Sequence, residues 1–391
     1  HKHISKQVIT HAGERLNIVK KKRILFFIYQ MGGGGAARTL LNIINNIDRK
    51  KFTPILVTLN YDGSYEKYIN DDVKFIKLDT RRLRSAILPL SKVIRKQRTD
   101  LVFSTIPNYN IIALLATMLS FSSAENVVRE AACLGGSAKE NLKLRFAGQL
   151  YRRASKVIAL SKGVKKNIIN RYKVNSDKID IIYNPVDIEG IREMMAKDEV
   201  SDVHKAIFES SDKTIITAGR LHPDKDQKTL LKAFKRVQEN HKDSQLFILG
   251  EGGLEADLKQ LTVDLNIEDS VHFAGFQHNP YAYFKYADMF VLSSVREGFG
   301  HVLTEAMAAG TPVVSTKARP GAEEVLAYGE YGYMCEPSDE AALADGINHI
   351  MALSDSEREN IIEKGLKRAE EFHVNKITRQ YEQMFTEVLE K

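Results

Sequence analysis

The sequence predicts an α/β protein made of two doubly wound, Rossmann-like domains. Short runs rich in Val, Ile and Leu alternate with amphipathic segments from Arg23 onward, as in parallel sheets covered by helices on both faces. This alternation stops in the polar, acidic stretch 185–211 and restarts at Lys213. The length of 391 residues also exceeds one ordinary core. We expect the domains to face each other across a cleft at the carboxyl ends of both sheets, where α/β proteins bind ligands.

The pattern divides the chain into four parts. These are an N-terminal arm (1–22), a first domain (23–190), a second domain (205–370) and a C-terminal helix (371–391) that packs back toward the first domain. Strands are predicted at Ile24–Tyr29, Ile55–Leu59, Val73–Leu78, Leu101–Ser104, Asn126–Arg129, Lys156–Leu160, Lys178–Tyr183, Lys213–Thr217, Gln245–Leu249, Val271–Ala274, Met289–Leu292 and Pro312–Ser315. Helices are predicted near Ala37–Ile47, Leu142–Ala154, Gln227–Glu239, Leu254–Leu265, His301–Ala309 and Glu340–Ala352.

Composition excludes several classes of protein. Hydrophobic residues make up 43% and charged residues 27%, which is typical of a globular protein. The longest near-apolar run, Ile111–Phe121, is far shorter than the roughly 18–20 residues of a membrane span. The basic N-terminal segment is followed only by Ile24–Tyr29, too short for a signal peptide. Cys133 and Cys335 form neither a disulfide framework nor a zinc-binding pattern, so we expect a reducing cytoplasm.

The charge is divided unevenly along the chain. Residues 1–190 contain 34 Lys and Arg against 15 Asp and Glu, whereas residues 191–391 contain 23 against 35. The first half therefore either meets an anionic partner or carries a solvated basic face. Apolar residues interrupt the most basic stretch, as in segments that lie on anionic lipid, although Pro89 is expected to break a helix there. Its cations are Arg81, Arg82, Arg84, Lys92, Arg95, Lys96 and Arg98.

A glycine cluster follows the first predicted strand. Gly32 to Gly35 lie between this strand and a helix, where backbone N–H groups approach phosphates closely. Gly32, Gly34 and Ala37 also satisfy the dinucleotide fingerprint G-x-G-x-x-A, but four successive glycines match almost any glycine pattern. That fingerprint also requires an acidic residue about 20 positions later to bind the ribose, and this chain lacks it. A tight turn without a ligand is the alternative.

Two cations follow the first strand of the second domain. Arg220 and Lys225 lie five positions apart in a predicted loop at the carboxyl edge of the sheet. Such a pair neutralises a diphosphate and stabilises it as a leaving group. Asp224 and Asp226 spell the metal–nucleotide signature D-x-D, but capping of the next helix is the preferred interpretation.

Two glutamates define the most specific motif. Glu297 precedes the turn Gly298-Phe299-Gly300 at a helix start, and Glu305 lies eight positions later, about two helical turns away. The spacing allows Glu297 to accept hydrogen bonds from hydroxyls near the phosphate end of a ligand, and Glu305 from a second pair such as those of a ribose. A glycosidase acid–base pair and two exposed helical carboxylates are the alternatives.

At these residues the chain resembles the retaining, nucleotide-sugar-dependent glycosyltransferases of family four, which have the GT-B fold. The resemblance extends from Arg23 nearly to the C-terminus and includes the glycine cluster, Gly250-Glu251-Gly252, Phe273 to Phe276 and Ala287 to Ser294. It implies that Arg220 and Lys225 bind the donor diphosphate, Glu297 the donor sugar and Glu305 the ribose. It implies further donor contacts from Gly33, Gly34, Gly35, Glu251, Phe276, Gln277, Gly298, Phe299, Gly300 and His301.

The sequence departs from its relatives in the first domain. Many relatives carry a His after the strand that here is Leu101–Ser104, whereas this chain has Asn108 and Asn110 as substitutes near the donor sugar. Val128-Arg129-Glu130 resembles a Ser-Glu-Arg-Asn-like stretch of polysaccharide-forming relatives. The resemblance therefore implies that Arg129 and Glu130 contact the acceptor or the sugar.

Together these features predict a retaining glycosyltransferase that uses a nucleotide diphosphate sugar, UDP-linked in our expectation, and a glycan or lipid-linked glycan acceptor. We expect no metal or other cofactor, no nucleic acid partner, and a cytoplasmic location with peripheral contact to the inner face of an anionic membrane. The alternatives are a nicotinamide-dependent oxidoreductase that uses the Gly32–Ala37 loop, and a non-catalytic protein that binds a nucleotide sugar or nucleic acid.

Overall fold

The computed structural model describes residues 8–9, 15–16, 20–32 and 35–390. The chain divides into two compact units. The first contains the chain as far as Ala159, then Asn167–Ile182 and the C-terminal end from Thr378; the second contains Leu160–Lys166 and Tyr183–Ile377.

Fifteen strands form three sheets in the described part of the chain. The first unit contains a parallel sheet of order β5-β4-β3-β6-β7-β8-β9 and the second a parallel sheet of order β12-β11-β10-β13-β14-β15, while β1 and β2 form a short antiparallel pair. The strands are β1 (Val8–Ile9), β2 (Arg15–Leu16), β3 (Lys22–Phe27), β4 (Phe52–Thr58), β5 (Lys74–Lys77), β6 (Leu101–Thr105), β7 (Glu125–Glu130), β8 (Lys156–Ala159), β9 (Ile179–Ile181), β10 (Thr214–Ala218), β11 (Gln245–Leu249), β12 (Val271–Gly275), β13 (Met289–Leu292), β14 (Val313–Thr316) and β15 (Tyr333–Cys335).

Helices connect these strands. They are α1 (Gly35–Asn46), α2 (Ile87–Lys96), α3 (Pro107–Ser120), α4 (Ala138–Tyr151), α5 (Lys162–Asn167), α6 (Ile188–Ala196), α7 (Asp202–Ser210), α8 (Gln227–Val237), α9 (Glu255–Asp264), α10 (Pro280–Tyr286), α11 (His301–Ala308), α12 (Gly321–Val325), α13 (Glu340–Met351), α14 (Asp355–Glu370) and α15 (Val374–Leu389). The alternation of strands and helices confirms the predicted α/β class with two doubly wound parallel sheets.

The central strands are buried on both faces, which explains their apolar composition. Ile24, Leu25, Phe26 and Phe27 of β3 are each 0% exposed. Helices cover the sheets with one apolar stripe each: Leu230, Leu231, Phe234 and Val237 of α8 are all buried at helical spacing. A strand that must satisfy two helical layers can carry few polar residues.

The C-terminal helix packs against the first sheet. The ring centroid of Phe385 lies 6.1 Å from that of Phe26 and 5.9 Å from that of Phe103, and Tyr381 lies 5.6 Å from Phe103. Tyr381 and Phe385 are both 0% exposed. The last helix therefore contributes directly to the core of the first unit.

The stretch 185–211, in which the domain boundary is expected from the sequence, belongs to the second unit, which corrects that boundary. It forms α6 and α7, and both belong to the second unit. Phe208 of α7 stacks on Phe247 of β11 with ring centroids 4.2 Å apart. After Ile182 the chain continues in the second unit from Tyr183, whose ring contacts those of Phe299 and Phe372, so the first unit does not extend to residue 190. A few buried aromatic anchors in a polar segment account for the difference.

Pro89 does not break the helix that contains it. It is the third residue of α2, within the first turn, where a backbone N–H has no intrahelical acceptor and its loss costs little. The apolar run 111–121 is largely α3, in which half of the residues are buried. Within the described ranges, no helix combines the length and apolar character required to cross a membrane.

The packing of α15 gives a stability prediction. Phe385→Ala should lower the free energy of unfolding by about 3–5 kcal/mol, because it leaves a cavity beside Phe26 and Phe103. Urea unfolding followed by circular dichroism measures the change. Phe146→Ala is the matched control, since Phe146 of α4 is 68% exposed and should change stability little. Equal effects of the two substitutions would contradict the packing role of α15.

Candidate functional site

The candidate site lies where the central strands of the second sheet end. β10 pairs with both β11 and β13, so the loops that follow these three strands are neighbours at the carboxyl edge. Arg220 and Lys225 follow β10, Glu251 follows β11, and Glu297 follows β13. The sheet order thus brings together residues that are up to 77 positions apart in sequence.

An ion pair forms the centre of this edge. The Lys225 Nζ donates a hydrogen bond to Glu297 Oε1, and the side chains are 29% and 13% exposed. Ser294 Oγ donates to the same carboxylate oxygen at 2.7 Å. Glu297 is therefore fixed by two donors from two loops, while both charged groups keep contact with solvent.

Backbone contacts hold these two loops together. The Ser293 Oγ donates to the carbonyl oxygen of Lys225 at 2.8 Å, and the N–H of Val295 donates to the carbonyl oxygen of Asp224 at 2.9 Å. The Thr316 Oγ1 donates to the carbonyl oxygen of Ser294 at 2.6 Å. The loops after β10, β13 and β14 are thereby locked to one another beneath the ion pair.

Arg220 differs from Lys225 in having a free head group. Its side chain is exposed, and its guanidinium has no hydrogen-bond or ion-pair partner in the part of the chain that the structure describes. Its backbone is anchored, because the Gln227 Nε2 donates to its carbonyl oxygen at 3.1 Å. An anchored backbone with an unpaired planar cation suits bidentate binding of a phosphate.

Two glycines allow the loop after β11 to lie against the loop after β10. A Cβ at Gly250 would lie 2.0 Å from the Gly219 carbonyl oxygen, and one at Gly252 would lie 2.3 Å from that of Leu221. No side chain fits at either position. The close approach leaves Glu251 exposed between them at the edge of the sheet.

The loop after β12 presents an aromatic ring. The Phe276 side chain is 61% exposed, and its backbone N–H lies 3.5 Å from Glu251 Oε1. Gln277 turns back to donate from Nε2 to the carbonyl oxygen of Ala274 at 2.6 Å. The exposed ring and nearby backbone groups are available for a planar heterocycle.

The glycine turn before α11 is built around a buried ring. Phe299 is 3% exposed, and its centroid lies 5.4 Å from that of Phe372. A Cβ at Gly321 would lie 2.4 Å from the backbone N of Phe299, and Gly300 has a φ of +90°, a conformation that favours glycine. Phe299 therefore anchors the turn instead of facing a ligand.

The start of α11 carries two further predicted residues. His301 is the first residue of the helix, and its Nε2 lies 2.7 Å from the Nδ2 of Asn184. Glu305, one turn later, is 7% exposed. The predicted helix start and the inclusion of Glu305 in the helix are both confirmed.

The D-x-D residues bond to the protein. Asp226 caps α8 by accepting from the Thr229 N–H at 3.3 Å, as predicted, whereas Asp224 lies 3.5 Å from Arg296. Among the residues that the structure describes, no group of three His, Cys, Asp or Glu side chains could hold a metal ion. The expectation of metal-independent catalysis stays a prediction.

The residues predicted to contact acceptor or sugar in the first unit are mostly buried. Asn110, Arg129 and Glu130 are 0%, 1% and 1% exposed. Asn110 accepts from Ser104 Oγ at 2.8 Å and donates from Nδ2 to the carbonyl oxygen of Arg129 at 3.0 Å. Because its amide is engaged on both sides inside the unit, its expected role as a sugar ligand does not fit this geometry.

Glu130 and Arg129 belong to the same buried network. The Tyr151 hydroxyl donates to Glu130 Oε1, and Arg129 donates from an Nη to Thr105 Oγ1 at 3.0 Å. Burial raises the pKa of Glu130 to about 7, against the opposing effect of its hydrogen bonds to Tyr151 and Asn110 and of the Arg129 charge. This network supports the ends of β6 and β7 from within, which does not fit direct contact with an acceptor.

The remaining predictions in the first unit have different outcomes. Asn108 is exposed in the first turn of α3 and stays a candidate ligand. Gly35 is the first residue of α1 and is exposed. Gly33 and Gly34 lie outside the described residues.

Sequence reasoning missed two residues that position the site. Ser294 bonds the Glu297 carboxylate, and Gly321 permits the close packing of the Phe299 turn. Ser294 precedes Glu297 by three residues, but a serine in a loop carries no distinguishing signal. The need for glycine at position 321 depends on a contact with a segment 22 positions earlier, which periodicity does not reveal.

Comparisons with known proteins agree with this arrangement. Residues 33–189 match the family described as Glycosyltransferase Family 4, and residues 201–368 match Glycosyl transferases group 1. The chain is 31% identical over 315 residues to the N-acetylgalactosamine-N,N'-diacetylbacillosaminyl-diphospho-undecaprenol 4-alpha-N-acetylgalactosaminyltransferase of Campylobacter jejuni, covering 79% of this chain and 81% of that protein. This chain is a family-four glycosyltransferase.

Other similarities support the same assignment. The chain is 30% identical to the N-acetyl-alpha-D-glucosaminyl L-malate synthase of Bacillus anthracis, covering 66% of this chain and 65% of that protein. The crystal structure of Anabaena HepE in complex with UDP is similar with a TM-score of 0.78 and 22% identity, over 94% of this chain and 100% of that chain. The fold is GT-B, and family membership favours transfer chemistry over the oxidoreductase and non-catalytic alternatives.

Proposed function

We propose that this glycosyltransferase moves a sugar from a UDP-sugar to a hydroxyl of a glycan or lipid-linked glycan, with retention of the anomeric configuration. The observation that carries the proposal is the meeting of Arg220, Lys225 and Glu297 at one edge of the second sheet. The Campylobacter relative, named for a diphospho-undecaprenol acceptor, and the UDP complex of HepE support the acceptor and donor classes.

The cations act on the leaving group. Arg220 binds the donor diphosphate through its unpaired guanidinium, and Lys225 turns from Glu297 toward the same anion. As the bond between the anomeric carbon and the phosphate oxygen breaks, negative charge grows on the diphosphate. Fixed cations stabilise this charge more in the transition state than in the ground state, which lowers the barrier.

The acceptor attacks from the face that the diphosphate leaves. Its hydroxyl oxygen forms a bond to the anomeric carbon, and the departing phosphate oxygen takes the hydroxyl proton. Both groups occupy the same face, so configuration is retained, and no separate protein base is needed. Glu297, held by Ser294 at 2.7 Å, accepts hydrogen bonds from hydroxyls of the donor sugar once Lys225 engages the diphosphate.

The rest of the donor extends along the same edge of the sheet. We assign Glu305 to the ribose hydroxyls, and Phe276 and Gln277 to the base. Gly298 and Gly300 allow backbone groups to approach the sugar and phosphates, and Glu251 and His301 border the site. These donor contacts all come from second-unit residues, and the expected contacts of Gly33, Gly34 and Gly35 with the donor stay predictions.

The first unit carries the proposed contact with an anionic membrane. The seven cations between Arg81 and Arg98 are all exposed, and Leu88 of α2 is 62% exposed among them. An exposed apolar side chain surrounded by cations suits a surface that lies on anionic lipid. A peripheral location at the inner face of the membrane would bring the enzyme to a lipid-linked acceptor.

Removing either phosphate-binding cation should damage catalysis. Arg220→Ala or Lys225→Ala should lower kcat/KM by about 100-fold or more, since the loss of one charge-stabilising donor costs roughly 3 kcal/mol. Release of UDP from a responsive UDP-sugar measures turnover. Lys228→Ala, which removes an exposed cation three positions beyond Lys225, is the control and should retain activity. Near-normal kcat/KM in both site variants would refute the proposed chemistry.

The two glutamates should separate sugar transfer from nucleotide binding. Glu297→Gln should reduce transfer while leaving the affinity for free UDP within about threefold, because the lost contacts are to the sugar. Glu305→Ala should weaken the binding of UDP by about 1–3 kcal/mol, because a buried carboxylate that accepts hydrogen bonds from hydroxyls is lost. Calorimetry with UDP distinguishes them, and the reverse order would show that their positions along the donor are wrongly assigned.

Metal chelation should leave the reaction unchanged. Arg220 and Lys225 supply the positive charge that a divalent cation supplies in other nucleotide-sugar enzymes, and Asp226 is occupied as a helix cap. We therefore expect full activity in EDTA. Activity that disappears with EDTA and returns with Mg²⁺ or Mn²⁺ would restore the metal interpretation of Asp224 and Asp226.

Neutralising the exposed cations on α2 and directly after it should release the protein from anionic vesicles. Each cation near such a surface contributes about 1 kcal/mol, so four should contribute about 4 kcal/mol. Co-sedimentation with phosphatidylglycerol vesicles measures binding of a fourfold Gln variant of Lys92, Arg95, Lys96 and Arg98. The control variant has four exposed second-unit lysines replaced, namely Lys228, Lys232, Lys242 and Lys364.

Vesicle binding should also weaken with salt, because exposed charges are screened. UDP binding should persist in the α2 variant, since the donor site is formed by other residues. Wild-type protein that stays in the supernatant at low salt would overturn the membrane proposal while leaving the transferase proposal intact.

A further inference from the structure

The sheet order of the first unit brings four chemically distinctive side chains to one edge. β5, β4, β3 and β6 are consecutive neighbours, and all are parallel. The loops after β5, β4 and β3 carry Arg81, Tyr61 and Tyr29, and the first turn of α3, which follows β6, carries Tyr109 next in that spatial order. At about 4.8 Å per strand, the four positions span roughly 14 Å. We call these four residues the tyrosine–arginine row.

Contacts between neighbours give the row a defined shape. At one end the Arg81 guanidinium carbon lies 5.6 Å from the centroid of the Tyr61 ring, and the Tyr61 hydroxyl donates to the Arg81 carbonyl oxygen at 3.1 Å. At the other end the rings of Tyr29 and Tyr109 stack with centroids 5.4 Å apart and planes 23° apart. The edge-on ring of Phe27, 6.2 Å from Tyr109, supports the stack from the buried side.

The row has unused binding capacity. All three tyrosines are half-buried, with one side packed on the apolar core between the sheet and α2 and α3. The hydroxyls of Tyr29 and Tyr109 have no hydrogen-bond partner among the described residues. Burial, and the proximity of Tyr29 and Tyr61, raise the pKa of Tyr109, so its hydroxyl stays a neutral donor and acceptor.

Charge is confined to the other end of the row. Arg81 is exposed, and its Nε donates to the carbonyl oxygen of Asn60 at 3.0 Å, which leaves its two terminal nitrogens to solvent. The neighbouring acid Asp62 is already paired with Lys77 at 2.7 Å, and Asp79 is the other exposed acid nearby. Arg82 and Arg84 are exposed as well, so cations exceed acids at this end.

We propose that the tyrosine–arginine row binds the acceptor, and that the acceptor is a sugar bearing a phosphate group. A pyranose packs its C–H face on aromatic rings, whose faces carry negative partial charge, while its hydroxyls bond the free phenols. The phosphate is bound by Arg81 at the far end of the row. This inference rests on the proposed function and specifies its acceptor.

The row separates the two ends of such a molecule along one edge of the sheet. The sugar end lies next to Asn108, which precedes Tyr109 and is exposed. The phosphate end lies at Arg81, before α2 and its exposed cations. A phosphate on a soluble glycan and the diphosphate of a lipid-linked sugar share this chemistry.

Binding of small probes tests the row directly. Calorimetry with the full chain, under saturating UDP that fills the donor site, measures the binding affinities of glucose, galactose, N-acetylglucosamine, N-acetylgalactosamine and their 1-phosphates. For at least one sugar we expect the 1-phosphate to bind more tightly than the free sugar, by about 10-fold or more. A charged hydrogen bond between Arg81 and the phosphate accounts for a difference of this size. Arg81→Ala should abolish that difference, whereas Lys50→Ala, which removes an exposed cation before β4, should preserve it.

The tyrosine variants test the other end. Tyr29→Ala and Tyr109→Ala should each weaken the binding of the free sugar and of its 1-phosphate to the same extent, by about 3- to 10-fold. Tyr109→Phe keeps the ring and should lose less than Tyr109→Ala. Tyr328→Ala, which removes a 69% exposed tyrosine from the second unit, should have no effect. Thermal unfolding and UDP affinity confirm that each variant is folded.

Each result bears on one proposal. The row is overturned if none of the four sugar 1-phosphates binds at millimolar concentration. It is also overturned if folded Arg81→Ala, Tyr109→Phe and Tyr109→Ala variants bind them as the wild type does. In both cases, intact UDP binding preserves the transferase proposal. If Tyr→Ala variants unfold, Arg81→Ala decides, because that side chain is exposed. Failure of UDP to bind overturns the proposed function instead.

A prenyl diphosphate conjugate of the responding sugar identifies the source of the phosphate. Tighter binding of the conjugate than of the 1-phosphate, lost in Arg81→Ala, identifies a lipid-linked acceptor. Equal binding identifies a soluble phosphoglycan. Either result supports the row, whereas conjugate binding that is insensitive to Arg81 and both tyrosines contradicts it.

Discussion

The ion pair between Lys225 and Glu297 is the interaction on which the donor site depends. It joins the loops after two paired strands, and the hydrogen bonds of Ser293 and Ser294 fix both loops beneath it. Each charge neutralises the other, so neither is an isolated charge in a partly desolvated place. In the proposed mechanism, a diphosphate provides Lys225 with a stronger partner and frees Glu297 for sugar hydroxyls. Under that proposal, one interaction couples recognition of the leaving group to recognition of the transferred sugar.

Arg220 complements this pair because it lacks a counter-ion in the described part of the protein. An exposed, unpaired guanidinium attracts an anion before close contacts form. In the proposed mechanism, Lys225 first exchanges partners and then acts at shorter range. The two cations are therefore not equivalent, although the sequence presents them only as basic residues five positions apart.

Sequence patterns predicted those features that depend on local repetition. Strands such as Ile24–Tyr29 were recognisable because both faces are buried, and Glu297 and Glu305 because they flank a glycine turn at a helix start. The pattern failed where a few long-range contacts decide the structure. Phe208 makes an acidic segment helical by stacking on Phe247, and β15 is too short for any period to be visible. The residue types of Asn110, Arg129 and Glu130 are typical of ligand-binding residues. In the folded unit, however, all three are buried within one network, and residue type alone does not predict that burial.

The arrangement of loops at the first sheet also affects how the enzyme can diverge. Arg81, Tyr61 and Tyr29 come from three separate loops and Tyr109 from the first turn of α3, whereas the strands beneath them are held by a continuous apolar core. A substitution at one tip changes one contact without disturbing strand register, since the side chains that set the register lie inside. Under the proposed acceptor role, a single substitution in the row changes acceptor recognition while the apolar core beneath it keeps its packing.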